Sequence, residues 1–333
     1  MKAVILEKTC LADELKTSDI NIPEIKENHV IVEVNAFGIN RSEVILRSYE
    51  ADENYINLPV VPGIECVGTI VKSLNNEFKV GDNVISLMGG MGRSFNGSYE
   101  EYVLLPIKNV FKIDDAIIKE LSTEQIACIP ETYFTAYASL FESLQLSSED
   151  TLLIRGGTSA TGLTALQLAK ARGCEVVSTT RSKDKITKLL SKGADYVLID
   201  DGTVSEKIHE IYPNGVSKIL ELVGPTTMKD SLKSLSIHGI CCVTGILGDL
   251  EYVDKFDPIK DVPNGKYLTS FFSNYPTQKI MDEIFSYILD NDIKLDIAKV
   301  YTSIDDIGEA HELMESNTAD GKIIIKLKDF RWG

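Results

Sequence analysis

The run Leu152-Leu153-Ile154-Arg155-Gly156-Gly157-Thr158-Ser159-Ala160-Thr161-Gly162-Leu163 decides the fold of this chain. Residues 151–155 read as an apolar strand, residues 162–172 as a helix closed by Gly173, and glycines and small residues fill the turn between them. Matched to G-x-G-x-x-G, Gly157 takes the first place and Gly162 the last, with Ser159 replacing the middle glycine. The first glycine permits a tight turn, and the last permits close packing of helix on strand. Thr158, Ser159, Ala160 and Thr161 are small enough for N–H groups at the helix start to approach a pyrophosphate, whose charge the helix dipole also favours. Ser159 keeps the turn compact and offers a hydroxyl donor. Alone, an imperfect glycine pattern says little; lying between a strand and a helix, it points to a dinucleotide.

Downstream, strands and helices alternate. Strands are expected at 175–180, 196–199, 218–223, 239–245 and 267–272. Helices are expected at 182–192, with Ser182 as N-cap and Gly193 just beyond, and near 203–212 and 226–235. Such alternation implies parallel strands joined by helical crossovers, an α/β doubly wound sheet of Rossmann type. A site for NAD carries an acidic residue about 20 positions on, at the end of the second strand, to bind the ribose hydroxyl. Here that end holds Arg181, with Ser178 and Lys185 nearby and no carboxylate. A guanidinium clamps phosphate bidentately and a lysine adds a point charge, so the 2′-phosphate of NADPH is the natural anion. The bland alternative is a solvated helix start, although positive charge there opposes the dipole.

Upstream, residues 1–121 read mainly as β-structure, with runs at 30–34, 64–71, 83–87 and 99–105 and a glycine-rich loop at 89–97. Residues 122–138 look helical apart from a break at Pro130. The tail, 271–333, offers helices at 277–291 and 304–316 and a strand at 321–327. Three segments follow: 1–121, a dinucleotide-binding 122–270, and 271–333. A net charge of −16 repels nucleic acid and anionic lipid. No run approaches the roughly 18 apolar residues of a membrane span, and the N-terminus lacks the features of a signal peptide, so a cytoplasmic location is expected. The cysteines Cys10, Cys66, Cys128, Cys174, Cys241 and Cys242 match neither a disulfide framework nor paired zinc ligands, and read as small buried hydrophobes.

With these features the chain resembles the zinc-independent, ζ-crystallin-like quinone oxidoreductases of the medium-chain dehydrogenase/reductase superfamily. The likeness rests on Phe37-Gly38-Ile39-Asn40, Leu58 to Glu65, Phe78 to Val84, Gly97 to Val103, Tyr133 to Tyr137, the glycine turn, Lys192-Gly193-Ala194-Asp195 and Gly321-Lys322-Ile323-Ile324. It implies a β-rich GroES-like catalytic domain, formed by the N-terminal part and the returning tail, around an inserted cofactor domain. It also implies a homodimer. Thr158 to Thr161 would line the pyrophosphate and Arg181 the adenosine phosphate. Val223, Gly245, Ile246, Phe271 and Phe272 would border the nicotinamide side, with Asn40 and Thr135 near the ring.

Zinc-bearing relatives place a cysteine soon after the Phe37-Gly38 turn and a histidine in a Gly-His-Glu run. Here those stretches read Gly38-Ile39-Asn40-Arg41-Ser42-Glu43 and Gly63-Ile64-Glu65, no four-cysteine lobe lies between 80 and 120, and His29, His209, His238 and His311 are scattered. No metal is expected. Alcohol oxidation needs something to stabilise an alkoxide, so substrates already electrophilic are favoured, a quinone or an α,β-unsaturated carbonyl. Asn40, Tyr49 and Tyr55 are the candidate hydrogen-bond or proton donors, with solvent as another proton source; the tyrosines equally suit a rim, and Asn40 a turn. An enoyl-thioester reductase and a non-enzymatic NADPH-binding sensor or crystallin-like protein are the competing readings.

Overall fold

The computed structural model describes residues 1–248 and 252–330. They form two compact units: one comprises Met1–Glu131, Ser273–Ser286 and the chain from Leu295 onward, the other Thr132–Phe272 and Tyr287–Lys294.

The second unit, the nucleotide unit, contains β1 (Thr151–Arg155), α1 (Ala160–Arg172), β2 (Glu175–Thr180), α2 (Ile186–Ser191), β3 (Tyr196–Ile199), α3 (Val204–Ile211), β4 (Val216–Glu221), α4 (Met228–Ser234), β5 (Leu235–Val243) and β6 (Tyr267–Ser270). The sheet is parallel throughout, in the order β3-β2-β1-β4-β5-β6. This is the doubly wound order, whose reversal point lies between β1 and β4. Leu153, Val177, Ile219 and Cys241 are fully buried in its core. Such strands, covered on both faces, read as continuous apolar runs. Gly173 caps α1 in the left-handed region (φ 90°), as its position implies. Ser182 does not cap α2: residues Lys183–Lys185 form a 3-10 turn first, and the Ser182 N–H is given to the Thr180 hydroxyl.

In the first unit, Ile297–Tyr301, Lys322–Lys326, His29–Ile39, Glu65–Ser73, Asn83–Leu87 and Val110–Lys112 form one sheet in that order, with Tyr102–Pro106 also paired to His29–Ile39. The returning tail joins it directly, Ile323 opposite Ile39 and Ile325 opposite Phe37, in antiparallel register. Phe37, Ile39, Leu46, Tyr99, Ile323 and Ile325 fill the core beneath. Residues 122–131, which their helical pattern had grouped with the nucleotide unit, belong to this unit. The helix Thr123–Ala127 buries Ile126 and Ala127, and the Thr123 hydroxyl accepts the N–H of Phe330. Pro130, expected as a break, opens the next helix, Pro130–Ala138, where its missing N–H costs nothing. All six cysteines are free; five are buried and Cys10 is half-buried. No helix among the described residues is long and apolar enough to cross a membrane.

Candidate cofactor and catalytic site

At the end of β1 the chain turns on Gly156, whose φ of 88° lies in the left-handed region that favours glycine. Its N–H goes to the Thr179 hydroxyl (3.1 Å), and that of Gly157 goes to the Thr179 carbonyl (3.1 Å). Gly157 is needed for a different reason than the sequence suggested: a Cβ there would lie 1.8 Å from Ser178 Oγ. At Gly162 a Cβ would lie 2.5 Å from the Gly156 carbonyl oxygen, so helix and turn touch backbone to backbone. The Ser159 hydroxyl is spent internally as the N-cap, donating to the Gly156 carbonyl (2.9 Å) and accepting from Gly162 N–H (3.0 Å). No hydrogen bond among the described residues engages the N–H groups of Thr158, Ala160 and Thr161. They lie where a helix leaves its first donors open, which suits a diphosphate. Ser178 Oγ, fully buried under Gly157, has no partner among the described residues. A turn opened by two glycines, open amides and an orphaned hydroxyl together fit a dinucleotide.

Arg181 follows β2, exposed and in no ion pair among the described residues, with Lys185 half-buried one turn on. Across the reversal point, Val223 N–H and Gly224 N–H are held by the Glu221 carboxylate (2.8 and 3.0 Å). A Cβ on Gly245 would meet the Leu222 carbonyl at 2.4 Å. Ile246 is partly exposed, Phe272 is largely exposed, and Phe271 packs edge-on against Phe134 (5.6 Å between centroids), next to the buried Thr135. Every expected cofactor residue therefore lies in the nucleotide unit, and those flanking the turn sit at the carboxyl ends of its strands.

The sequence reading missed the buried charges beneath the turn. Arg155 is completely buried. Its guanidinium grips Asp200 through Nε and Nη2 (2.8 Å each), and through Nη1 bonds Asp230 (2.6 Å) and the Ser231 hydroxyl (3.1 Å). The one available clue was an arginine ending an apolar strand.

In the first unit, Asn40 precedes the helix Arg41–Ser48, and its N–H is held by Glu43 (2.9 Å). Its side-chain amide donates to Glu65 (2.9 Å) and Glu43 (3.4 Å), and its oxygen accepts from the Lys322 ammonium. Both amide hydrogens are therefore committed inside the protein, which its expected role as a donor to substrate had not anticipated. Glu43, Glu65 and Lys322 are essentially sealed from solvent. Burial pushes Glu43 up to about 7, against the N–H groups that hold its ionised form. Burial opposes a charge on Lys322, but Glu65 at 2.6 Å and Glu131 outweigh it and hold the ammonium above its ordinary value. This donor set does not fit zinc: where relatives use a thiolate and an imidazole stand an amide and Ile64, and an ammonium already sits on the carboxylate. Among the described residues, no group of three or more His, Cys, Asp or Glu is arranged to hold a metal. Tyr49 and Tyr55 are both exposed; Tyr55 donates to Glu50 (3.1 Å), which also holds Arg93 (2.6 Å).

The family description "Alcohol dehydrogenase GroES-like domain" matches residues 26–115, and "Zinc-binding dehydrogenase" matches residues 160–286. Among curated proteins, the chain is 29% identical over 238 residues to the quinone oxidoreductase of Homo sapiens, covering 70% of this chain and 69% of that one. It is 27% identical over 321 residues to that of Lama guanicoe, covering 93% and 92%. A solved Escherichia coli quinone oxidoreductase, complexed with NADPH, superposes with a TM-score of 0.83 at 24% identity, over 98% of this chain and 100% of that one. The chain belongs to the medium-chain dehydrogenase/reductase superfamily and, within it, to the quinone oxidoreductase-like group.

Proposed function

We propose that this protein is an oxidoreductase that uses NADPH to reduce a small quinone or α,β-unsaturated carbonyl compound without zinc. The observation that carries the reading is the glycine turn, with its open amides, together with an Arg181 guanidinium that is in no ion pair among the described residues, where an NAD site would hold a carboxylate. When bound, NADPH supplies the hydride to an electrophilic carbon of the substrate. The amides of Thr158, Ala160 and Thr161 hold its diphosphate, and Arg181 and Lys185 hold its 2′-phosphate. Val223, Gly245, Ile246, Phe271 and Phe272 shape the nicotinamide side, with Thr135. With both hydrogens of Asn40 spent, its part is to keep the Glu43–Glu65–Lys322 cluster in place, and solvent provides the proton. The sealed cluster takes the place of a metal site, so the purified protein should hold no stoichiometric zinc. The resemblance to dimeric relatives supports a homodimer.

The test is binding, then turnover. NADPH should bind at least about tenfold tighter than NADH, and Arg181→Ala should abolish that preference, since one lost phosphate contact is worth 1.5–3 kcal/mol. NADPH oxidation against quinones, enones and enoyl thioesters then identifies the acceptor. A protein that binds NADPH but reduces none of them would be a binding module, and the enzyme reading would fall.

A further inference from the structure

We propose that Arg155 sets the preference for the phosphorylated dinucleotide by holding the Asp200 carboxylate away from the anion pocket at the ends of β2 and β3. The inference rests on the function proposed above and deepens it.

β2 and β3 run parallel, with Ile199 opposite Thr180, and the N–H of Asp200 continues the ladder to the Thr180 carbonyl (2.9 Å). Asp200 therefore stands beside Arg181, each the first residue past its strand. A carboxylate there is a liability: it competes for Arg181 and repels a phosphate. The chain as a whole, with 50 acidic against 34 basic residues, already makes the surroundings unfavourable to anions. Yet Asp200 is ionised. Burial works against its charge, but the Arg155 guanidinium outweighs it and keeps the carboxyl below its ordinary range.

The structure disposes of this charge by geometry. Arg155 ends β1, two strands from β3, and reaches under β2 to take both oxygens of Asp200 in a fork. The rest of the guanidinium is fixed from the other side by Asp230 and Ser231 of α4 and by the Thr227 carbonyl (3.3 Å). The Asp200 side chain is left only 10% exposed. Its neighbour Asp201 is occupied separately, by Lys207 (2.6 Å) and the Thr203 hydroxyl (2.8 Å). Two acids thus stand at the mouth of a phosphate pocket, and each is turned to a cation of its own while Arg181 is kept open.

Arg155 touches no cofactor in this arrangement; it is a positioning residue, so its test reads a ratio and not activity. The Kd values of NADPH and NADH are measured by fluorescence titration on the full chain for the wild type, Arg155→Met, Arg155→Lys, Asp200→Asn and the Arg155→Met/Asp200→Asn pair. In Arg155→Met the freed carboxylate weakens NADPH binding roughly ten- to fiftyfold, between the bulk-water and near-surface values for like unit charges about 4 Å apart. NADH binding changes little. The pair restores the wild-type ratio to within about twofold, because the offending charge is gone. Asp200→Asn alone keeps the ratio or raises it. A merely structural role would weaken both dinucleotides together and would not be rescued by Asp200→Asn; either result overturns the inference. Should Arg155→Met not fold, Arg155→Lys decides: an ammonium cannot hold both oxygens, so the ratio should fall at least about threefold, and an unchanged ratio overturns the inference. If the wild type shows no preference for NADPH, the underlying reading fails first, and Arg181→Ala distinguishes that failure by having nothing to abolish.

Discussion

Each unit buries a cluster of charges, and the two solve the same problem differently. In the nucleotide unit the cation is a guanidinium, whose planar fork satisfies two carboxylates that keep some contact with water, Asp200 at 10% and Asp230 at 18% exposure. In the other unit the cation is the Lys322 ammonium, a point charge set among Asn40, Glu43 and Glu65 with 2% exposure or less at the ion pair. The outcome differs in sign. Arg155 overcomes burial and holds Asp200 below its ordinary range, whereas burial wins at Glu43 and lifts it to about 7. A fork at a solvated edge fixes charge permanently; a sealed point charge leaves a nearby carboxyl able to change protonation near neutrality.

The largest expected effect tests the sealing. Lys322→Met strands the Glu65 carboxylate without its cation, which should cost about 3–5 kcal/mol in urea unfolding. Asp230→Asn, at the wetter edge of the other cluster, should cost only about 1 kcal/mol, since Arg155 keeps Asp200 and its remaining hydrogen bonds. Equal losses would erase the distinction between the clusters. Adding Glu65→Gln to Lys322→Met should recover part of the loss, as paired groups are not additive.

Next in size is a dependence on pH. Unfolded, Glu43 titrates near 4.5; folded, near 7. Between those values the folded chain keeps a proton that the unfolded chain has released, so stability contributed by the neutral form is full at low pH and is lost as pH rises through 7. The loss should be on the order of 2–3 kcal/mol by pH 8. Asp200, shifted the other way, loses its contribution only in acid. Unfolding followed from pH 5 to 8 should therefore show a downward trend that Glu43→Gln flattens. A trend that survives the substitution would assign the titration elsewhere.

A smaller effect concerns the turn above the Arg155 cluster. Gly157→Ala places a methyl 1.8 Å from Ser178 Oγ but 3.2 Å from Ser178 Cβ. The clash should weaken dinucleotide binding roughly tenfold, within the 1–3 kcal/mol of typical overpacking, and adding Ser178→Ala should return most of it. If the single substitution binds normally, the turn is softer than its buried support implies.

These sites also mark what the sequence made legible. Period and punctuation were enough for the first three strands of the nucleotide unit: Thr151–Arg155, Glu175–Thr180 and Tyr196–Ile199 lie at the expected bounds, because apolar runs between glycines have few other solutions. The position of Arg181, just past the second strand, was legible because it is defined by counting from the turn. The bonds of Arg155 to Asp200 and Asp230 were not, since they join residues 45 and 75 positions apart and depend on which way side chains leave the sheet. The helix Arg41–Ser48 was missed, with Asn40 suiting a turn, while Glu43 was in fact reaching back to cap it. The tail's helices and final strand showed their periodicity, but its pairing with His29–Ile39 is a fact of topology that no local pattern carries.

The smallest effect is expected at Tyr55, and it separates the exposed rim of the first unit from its sealed interior. Tyr55 looks like a proton donor by type, yet its hydroxyl already donates to Glu50, whose carboxylate is forked by Arg93. Local burial and the Glu50 charge push the phenol up to about 12. A general acid is efficient when its pKa lies near the working pH, and this one lies far above it. Removing the hydroxyl also costs little stability, because surface substitutions away from buried features usually stay within about 0.5 kcal/mol. Tyr55→Phe should therefore change kcat by less than about threefold and leave the pH profile between 6 and 9 in place, since no titration in that range belongs to it. A fall in kcat of tenfold or more at unchanged KM would instead make Tyr55 the group that delivers the proton, and solvent would lose that role.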